Sequence, residues 1–364
     1  MKLTQLDILI LIYLVAQLSS RLFVIWFGGM GKPDLNGLLD IILIPLMLYW
    51  IVKNLLVTRA HLKWFLYALV IACLLICLSG LYEQALGVRV FKISTNLGGT
   101  ELRYEWQDVQ GGRAAGALGN PAIYGATLGI GILAGIACLS HVKRKLTQVT
   151  LVATIGVLLY GVFASYTRSA WLSVFGVLFV AQFFIGSLRK RTLPLLILGL
   201  LLLVIMWNGL STSSFIARRV LTMGTITTRL SLNQLAWERF LEKPFLGWGS
   251  GALNTFGLRQ VGVISHNIYL TFLVDGGLAL FLSFSAVVGY LLLRAIRLYR
   301  MAEKSSLERN VLVAMTGSVL IFLLSGLALE LRYFGYFNAL FWICAGVIDY
   351  LGAGIGVKSN EYSN

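Results

Sequence analysis

The chain has 364 residues, of which 58% are hydrophobic and only 12% are charged. Apolar stretches of about 20 residues, the length needed to cross a bilayer, recur along it. This composition excludes a soluble protein and predicts an all-α, polytopic membrane protein, because backbone groups in hydrocarbon must be satisfied within helices. The formal net charge of +15 would suggest nucleic-acid binding in a soluble protein. Here the charge lies in short loops between apolar runs, so we expect no nucleic-acid partner.

About ten transmembrane helices are predicted, and together they form a single integral membrane domain over residues 1–364. The predicted spans cover residues 6–27, 35–52, 64–82, 121–139, 146–166, 170–187, 193–208, 267–293, 311–331 and 334–351. The sequence shows no internal repeat and no interrupted span. The first span resembles a signal peptide at its start, but its apolar character continues through Trp26, so we interpret it as a retained anchor.

The loops between these spans alternate in charge. Every second loop is basic, and the four basic loops lie at residues 53–63, 143–145, 189–191 and 294–309. Basic loops face the cytoplasm in membrane proteins, so these loops and both termini are predicted to be cytoplasmic. Much of the positive charge therefore reflects topology and requires no ligand.

The same alternation predicts two external segments, at residues 83–120 and 211–265. Residues 225–243 of the second have apolar side chains at helical spacing and precede Pro244, which predicts an amphipathic helix at the membrane surface. In the first, Glu101, Glu105 and Asp108 could share a helical face and hold a divalent ion. A solvated loop surface is the simpler interpretation of these carboxylates.

Two residues stand out as candidates for chemistry. Arg168 lies in a short turn between two apolar runs, where a guanidinium is costly unless it meets an anion. His266 is the one histidine of three predicted to be external, and its side chain can accept a proton near neutral pH. The alternative is that His266 only bonds a backbone carbonyl at a helix start. One histidine cannot build a zinc site, so we predict neither a metal nor a cofactor.

Four segments together are similar to one known family. They are Arg113–Tyr124, Tyr166–Leu172, Arg229–Gly251, and His266–Leu270 followed by Asp275-Gly276-Gly277. In order and spacing they resemble the bacterial O-antigen ligase / O-antigen polymerase superfamily of membrane glycosyltransferases, from Arg113 to Tyr350. The chain departs from the family pattern in two ways. Asp275 stands where glutamate is expected, and the N-terminal part is about two spans shorter.

The resemblance implies a GT-C-like fold in the bacterial inner membrane and a defined reaction. A glycan moves from a polyprenyl (undecaprenyl) pyrophosphate carrier to an acceptor hydroxyl on the external face, with inversion and without a metal or nucleotide sugar. The implied partners are the lipid-linked donor, a glycan or lipid-linked acceptor, and membrane lipids. The implied catalytic residues are His266 as base, with Arg168 and Arg229 on the leaving pyrophosphate. Further candidates for binding substrate are Arg113, Asn120, Asn267, Tyr269 and Arg332.

Several alternatives remain open at this point. A surface arginine such as Arg229 commonly meets lipid headgroups or water rather than substrate. Asp275 could orient His266 only if the helix between them begins irregularly. Ligase and polymerase need the same residues and cannot be distinguished. An anion transporter would also suit a buried arginine beside a histidine, but repeats and broken helices are expected of transporters. Their absence from the sequence pattern favours the enzyme.

Overall fold

The computed structural model describes residues 3–27, 35–56, 58–87, 95–97, 100–102, 112–184, 197, 224–260, 266–303 and 306–361. Its α-helices are α1 (Gln5–Phe27), α2 (Leu35–Leu38), α3 (Ile44–Leu55), α4 (Arg59–Leu86), α5 (Pro121–Leu139), α6 (Lys145–Ala164), α7 (Arg168–Phe184), α8 (Gly224–Glu242), α9 (Ala252–Gln260), α10 (Ile268–Met301), α11 (Leu307–Gly326) and α12 (Gly335–Glu361). A π-helical turn, Leu39–Leu43, joins α2 to α3, and two 3₁₀ turns cover Gly116–Leu118 and Leu331–Tyr333.

Six of the described helices, α1, α4, α5, α6, α10 and α11, are long and apolar enough to cross a membrane. The prediction of a polytopic helical membrane protein is therefore confirmed. The helix predicted at residues 225–243 is also confirmed, as α8, with apolar side chains buried along one face, while its placement at the membrane surface stays a prediction. The predicted span at 193–208 lies outside the described residues, so the total of ten spans stays a prediction, as do the GT-C-like fold and the cytoplasmic placement of the termini.

A short hairpin is the one β structure among the described residues. Strands β1 (Thr95–Leu97) and β2 (Thr100–Leu102) pair antiparallel, with Asn96 opposite Glu101. Both lie in the predicted first external segment. Glu101 is thus in a strand rather than on a helical face, while Glu105 and Asp108 lie outside the described residues.

Helix α5 is the centre of the bundle. All 19 of its residues are buried, and α4, α6, α7 and α11 pack around it. Glycines make this close packing possible, as is usual between membrane helices. A Cβ at Gly125 would lie 2.8 Å from the Cβ of Ala170 on α7, so the helix that begins at Arg168 passes directly against α5. All four cysteines are buried and free, as expected of packing residues.

Helix α10 is broken at Gly277, where φ is 62° and ψ is −160°. The segment after α8 fills this break with its own backbone. Trp248 and Gly249 donate their amides to the carbonyls of Val274 and Asp275, at 2.8 and 2.9 Å, and Leu278 donates to the carbonyl of Pro244 at 2.7 Å. The expectation of an uninterrupted span was therefore wrong. The physical reason is the Gly276-Gly277 pair, which lets the chain leave the helical conformation and admit a second backbone.

Replacing Gly277 with alanine is expected to destabilise the protein by about 2 kcal/mol or more, because its positive φ disfavours a side chain and a Cβ would meet the backbone of Phe245. Gly289 is the matched control. It lies in the same helix with open space around its Cβ position, so Gly289→Ala should be neutral or slightly stabilising. Thermal unfolding of the two purified variants in one detergent tests this. Equal melting temperatures would contradict it.

A cluster of charged groups joins four helices at the end of the bundle opposite His266. Lys53 on α3 contacts Asp7 on α1 at 2.6 Å and Asp349 on α12 at 2.8 Å. Arg294 on α10 contacts Asp349 at 2.6 Å, and the Tyr49 hydroxyl shares its single proton between the two carboxylates, at 2.9 Å from Asp7 and 2.8 Å from Asp349. Positive and negative charges are equal in this cluster, which satisfies the condition for burying them.

Candidate functional site

The turn between α6 and α7 presents Arg168 at the first position of α7. Tyr166 in this turn has a φ of 44°, an unusual conformation for a residue with a side chain. Arg113 stabilises the turn: its Nε donates to the Ser165 carbonyl at 3.2 Å, and a terminal nitrogen donates to the Thr167 hydroxyl. Arg113 was predicted to bind substrate, and the structure shows that it holds the backbone just before Arg168.

Arg229 lies in the second turn of α8. The face of this helix that carries Leu232, Leu235, Ala236 and Phe240 is buried against α9 and α10, in an apolar cluster with Ala252, Leu253, Phe256 and Val274. Trp248 adds a hydrogen bond to this packing, since its indole nitrogen donates to the Arg239 carbonyl at 2.7 Å. The packing of α8 therefore fixes where the Arg229 guanidinium can reach.

His266 immediately precedes the first turn of α10. Asn267 caps this helix, with its side-chain oxygen accepting the amides of Tyr269 and Leu270 at 3.0 and 3.2 Å. The Tyr269 hydroxyl donates to the Leu323 carbonyl of α11 at 2.7 Å. Both residues were predicted to contact substrate, and the interactions seen here anchor the helix start that carries His266. His266 itself is half-buried.

The three predicted catalytic residues lie close enough for their charges to interact. The surrounding protein partly desolvates the Arg229 guanidinium, which lowers its pKa although part of the side chain is exposed, and the charge of Arg168 lowers this pKa further. Burial lowers the pKa of His266 to about 4, and the charge of Arg229 contributes to this shift. Arg229 is therefore the link between the other two. At neutral pH the site holds two guanidinium cations and a neutral imidazole.

Within the described part of the chain, these three side chains make no hydrogen bond or ion pair with another residue. The like charges of Arg168 and Arg229 repel each other without a carboxylate between them among the described residues, so an anion that joined them would be stabilised. Arg168 and His266 also stand at the starts of α7 and α10, and the N-terminus of a helix attracts negative charge. The arrangement suits a ligand with more than one phosphate oxygen, because guanidiniums bind phosphate bidentately.

Two other predicted substrate contacts have roles within the protein. Asn120 caps α5, where its side-chain oxygen accepts the amides of Ala122 and Ile123 at 2.9 and 3.2 Å. Arg332 is only 4% exposed, and its guanidinium donates to Glu330 at 2.7 Å and Asp275 at 2.9 Å. A contact between these residues and substrate stays a prediction.

Asp275 does not contact His266 among the described interactions. Its carboxylate accepts the amides of Gly251 and Leu253, at 2.9 and 3.1 Å, besides the Arg332 guanidinium. Sequence reasoning missed this network, although a signal was present. Asp275 and Glu330 lie within predicted spans, where buried charges are expected to pair, and Arg332 lies in the short turn between the last two predicted spans.

The fold and site define a helical membrane protein with a cationic site at one end of its bundle. The family model of the O-antigen ligases matches residues 153–285. This match supports the O-antigen ligase / polymerase superfamily, as the sequence resemblance indicated, and an O-antigen ligase type of function in the broad sense. The matched region covers less than half of the chain. It includes Arg168, Arg229 and His266 and excludes Arg113, Asn120 and Arg332. No curated protein matches the chain.

Proposed function

We propose that the protein is a membrane glycosyltransferase that moves a glycan from a polyprenyl pyrophosphate carrier to an acceptor hydroxyl at the external face. The observation that carries the proposal is the grouping of Arg168, Arg229 and neutral His266 without a carboxylate among the described residues. Two guanidiniums match the two phosphates of the leaving group. A neutral imidazole matches the need to deprotonate an incoming hydroxyl.

The proposed reaction is a single displacement. The acceptor oxygen forms a bond to the anomeric carbon as the bond from that carbon to the pyrophosphate oxygen breaks, which inverts the configuration. The bonding electrons leave with the polyprenyl pyrophosphate, where Arg168 and Arg229 stabilise the developing charge. The hydroxyl proton passes to the His266 imidazole. No metal is required in this scheme, because the guanidiniums supply the positive charge.

The donor itself would increase the basicity of His266. In the free protein, burial and Arg229 keep the pKa of this imidazole at about 4, which makes it a weak base. A bound pyrophosphate neutralises the two guanidiniums and places negative charge nearby, and both effects raise the imidazole pKa. The base therefore approaches the strength that proton transfer requires only when the leaving group is in place.

The rival function is anion transport, and one observation favours it: α10 is broken, as helices in transporters often are. Another segment of the chain, however, occupies the break in α10. The backbone groups that Val274, Asp275 and Leu278 would leave unsatisfied are bonded to residues 244–249. The Val274 and Asp275 carbonyls at the break are therefore not free to bind an ion, and the enzyme remains the better supported function.

Purified protein reconstituted in liposomes provides the test. With polyprenyl-pyrophosphate oligosaccharide, we expect transfer to an acceptor with release of polyprenyl pyrophosphate, an inverted linkage by NMR, and no loss of activity in EDTA. Two acceptors, a lipid A core and a second lipid-linked repeat, separate ligase from polymerase. Uptake of phosphate into the liposomes without transfer to either acceptor would contradict the proposal and support the transporter.

A further inference from the structure

The region around the break in α10 connects the two structural units that carry Arg229 and His266. Arg229 belongs to the unit formed by α8 and α9, whereas His266 stands at the start of α10. The break lies nine residues beyond Ile268, and the segment that fills it connects α8 to α9. The distance between Arg229 and His266 therefore depends on how this unit is attached to α10.

Asp275 is the centre of that attachment. Its carbonyl accepts the Gly249 amide at 2.9 Å, and its carboxylate accepts the Gly251 and Leu253 amides at the start of α9. A carboxylate at a helix start satisfies free amides and complements the helix dipole. One residue of α10 thus bonds both the turn that precedes α9 and the first turn of α9.

Arg332 fixes the orientation of the Asp275 carboxylate. It comes from the connection between α11 and α12, bonds Asp275 at 2.9 Å, and lies over the Phe272 ring at 4.9 Å. Asp275 is fully buried, so its charge requires this partner. The contacts run from the α11–α12 connection through Asp275 to α9, and from α9 through the apolar cluster to α8.

We propose that Asp275 and Arg332 are positioning residues that set the distance between Arg229 and His266. Neither touches the reacting groups in this assignment. Both act by holding the α8–α9 unit against the start of α10. The assignment rests on the proposed function only for its effect on catalysis. Its structural content, the fixed placement of α8, holds independently of which ligand the site binds.

The direct test measures distance. Spin labels are attached at Asn233→Cys on the exposed face of α8 and at Leu327→Cys, which is 59% exposed at the end of α11. The native cysteines are buried, so they compete little for the label. Pulsed electron paramagnetic resonance on the full chain should give a narrow distance distribution. In Asp275→Asn the distribution should broaden or shift, because the neutral amide weakens its bonds to Arg332 and to the amides of α9.

Asp349→Asn is the matched control. It also removes a fully buried carboxylate paired with an arginine, but at the opposite end of the bundle. We expect its label distances to equal those of wild type. An unchanged distribution in Asp275→Asn, or equal broadening in both variants, would overturn the proposal. Should Asp275→Asn not fold, Arg332→Lys keeps the charge but cannot bond both carboxylates as the guanidinium does, so it should broaden the distribution as well. An unchanged distribution there would also overturn the proposal.

Kinetics separates positioning from simple destabilisation. Since Arg168 still binds the donor in Asp275→Asn, kcat should fall by about 10- to 100-fold with a smaller change in KM, as expected when a reacting geometry shifts by about 1 Å. Asp349→Asn should keep the wild-type kcat. A broadened distribution in a protein whose wild type transfers no glycan would leave the positioning intact and remove the proposed function. An active wild type with unchanged distances in Asp275→Asn would support the proposed function and overturn the positioning.

Discussion

Replacing His266 with alanine is expected to reduce kcat for glycan transfer by about 10²- to 10⁴-fold, the range typical of losing a general base. KM for the lipid-linked donor should change little, because Arg168 and Arg229 remain to bind its pyrophosphate. The measurement is initial rate against donor concentration in proteoliposomes. His141→Ala is the matched control: His141 is also half-buried, but lies between α5 and α6 at the other end of the bundle. It should retain the wild-type rate.

The pH dependence adds a second, independent measurement on the same group. Because the free protein holds the pKa of His266 at about 4, the imidazole is already neutral at pH 5, and kcat/KM should stay level between pH 7 and pH 5. An ordinary histidine would cause a decline near pH 6.5. With donor bound the pKa rises, so the acid limb of kcat should lie at higher pH than that of kcat/KM. Coinciding limbs would contradict the proposed coupling between donor and base.

The Arg229→Gln substitution is expected to lower kcat by about 10²- to 10³-fold, as when one charge-stabilising donor is removed from a transition state. It should also raise the pKa of His266 in the free protein from about 4 toward 6.5, because a nearby positive charge is lost. The shift will be incomplete, since burial is the larger cause. NMR titration of histidine-labelled protein measures it directly, and the chain has only three histidines to assign.

Arg259→Gln is the control for net charge. Arg259 is an exposed arginine on α9, in the same predicted external segment, so the substitution removes an equal charge from this region. Activity and the His266 titration should both match wild type. A wild-type His266 titration in Arg229→Gln would show that these groups are not adjacent, and the proposed site would then lose its link between Arg168 and His266.

The sequence predicted features that depend on neighbouring residues, and it missed features that depend on residues distant in the chain. Apolar runs located most helices, and α5 begins and ends where predicted, at Pro121 and Leu139, because length and hydropathy are local properties. The residue pattern singled out Arg168 and His266 and the resemblance added Arg229, and in the structure the charge of Arg229 acts on a neighbour in each direction. The break at Gly277 escaped prediction because it depends on a second backbone segment some 30 residues earlier, and no local pattern reports such a pairing.

The charged residues were likewise located by the sequence, but their partners, which are distant in the chain, were not. Lys53 and Arg294 were assigned to topology alone, yet both pair with carboxylates buried inside the bundle. Asp7 and Asp349 lie in the first and last predicted spans, and a carboxylate in an apolar run indicates a partner without naming it. Identifying Lys53 as the partner of Asp7 and Asp349, and Arg332 as the partner of Asp275, required knowing which helices are neighbours. That information comes from packing and not from the pattern along the chain.

The cluster around Lys53 also has a consequence for the order of assembly. During synthesis α1 and α3 enter the membrane well before α12, so the nascent bundle holds Lys53 and Arg294 with Asp7 as the only carboxylate of the cluster. The arrival of Asp349 balances the charge and gives the Tyr49 hydroxyl its second acceptor. A chain halted before this residue would therefore carry an excess buried cation with no carboxylate to pair with it.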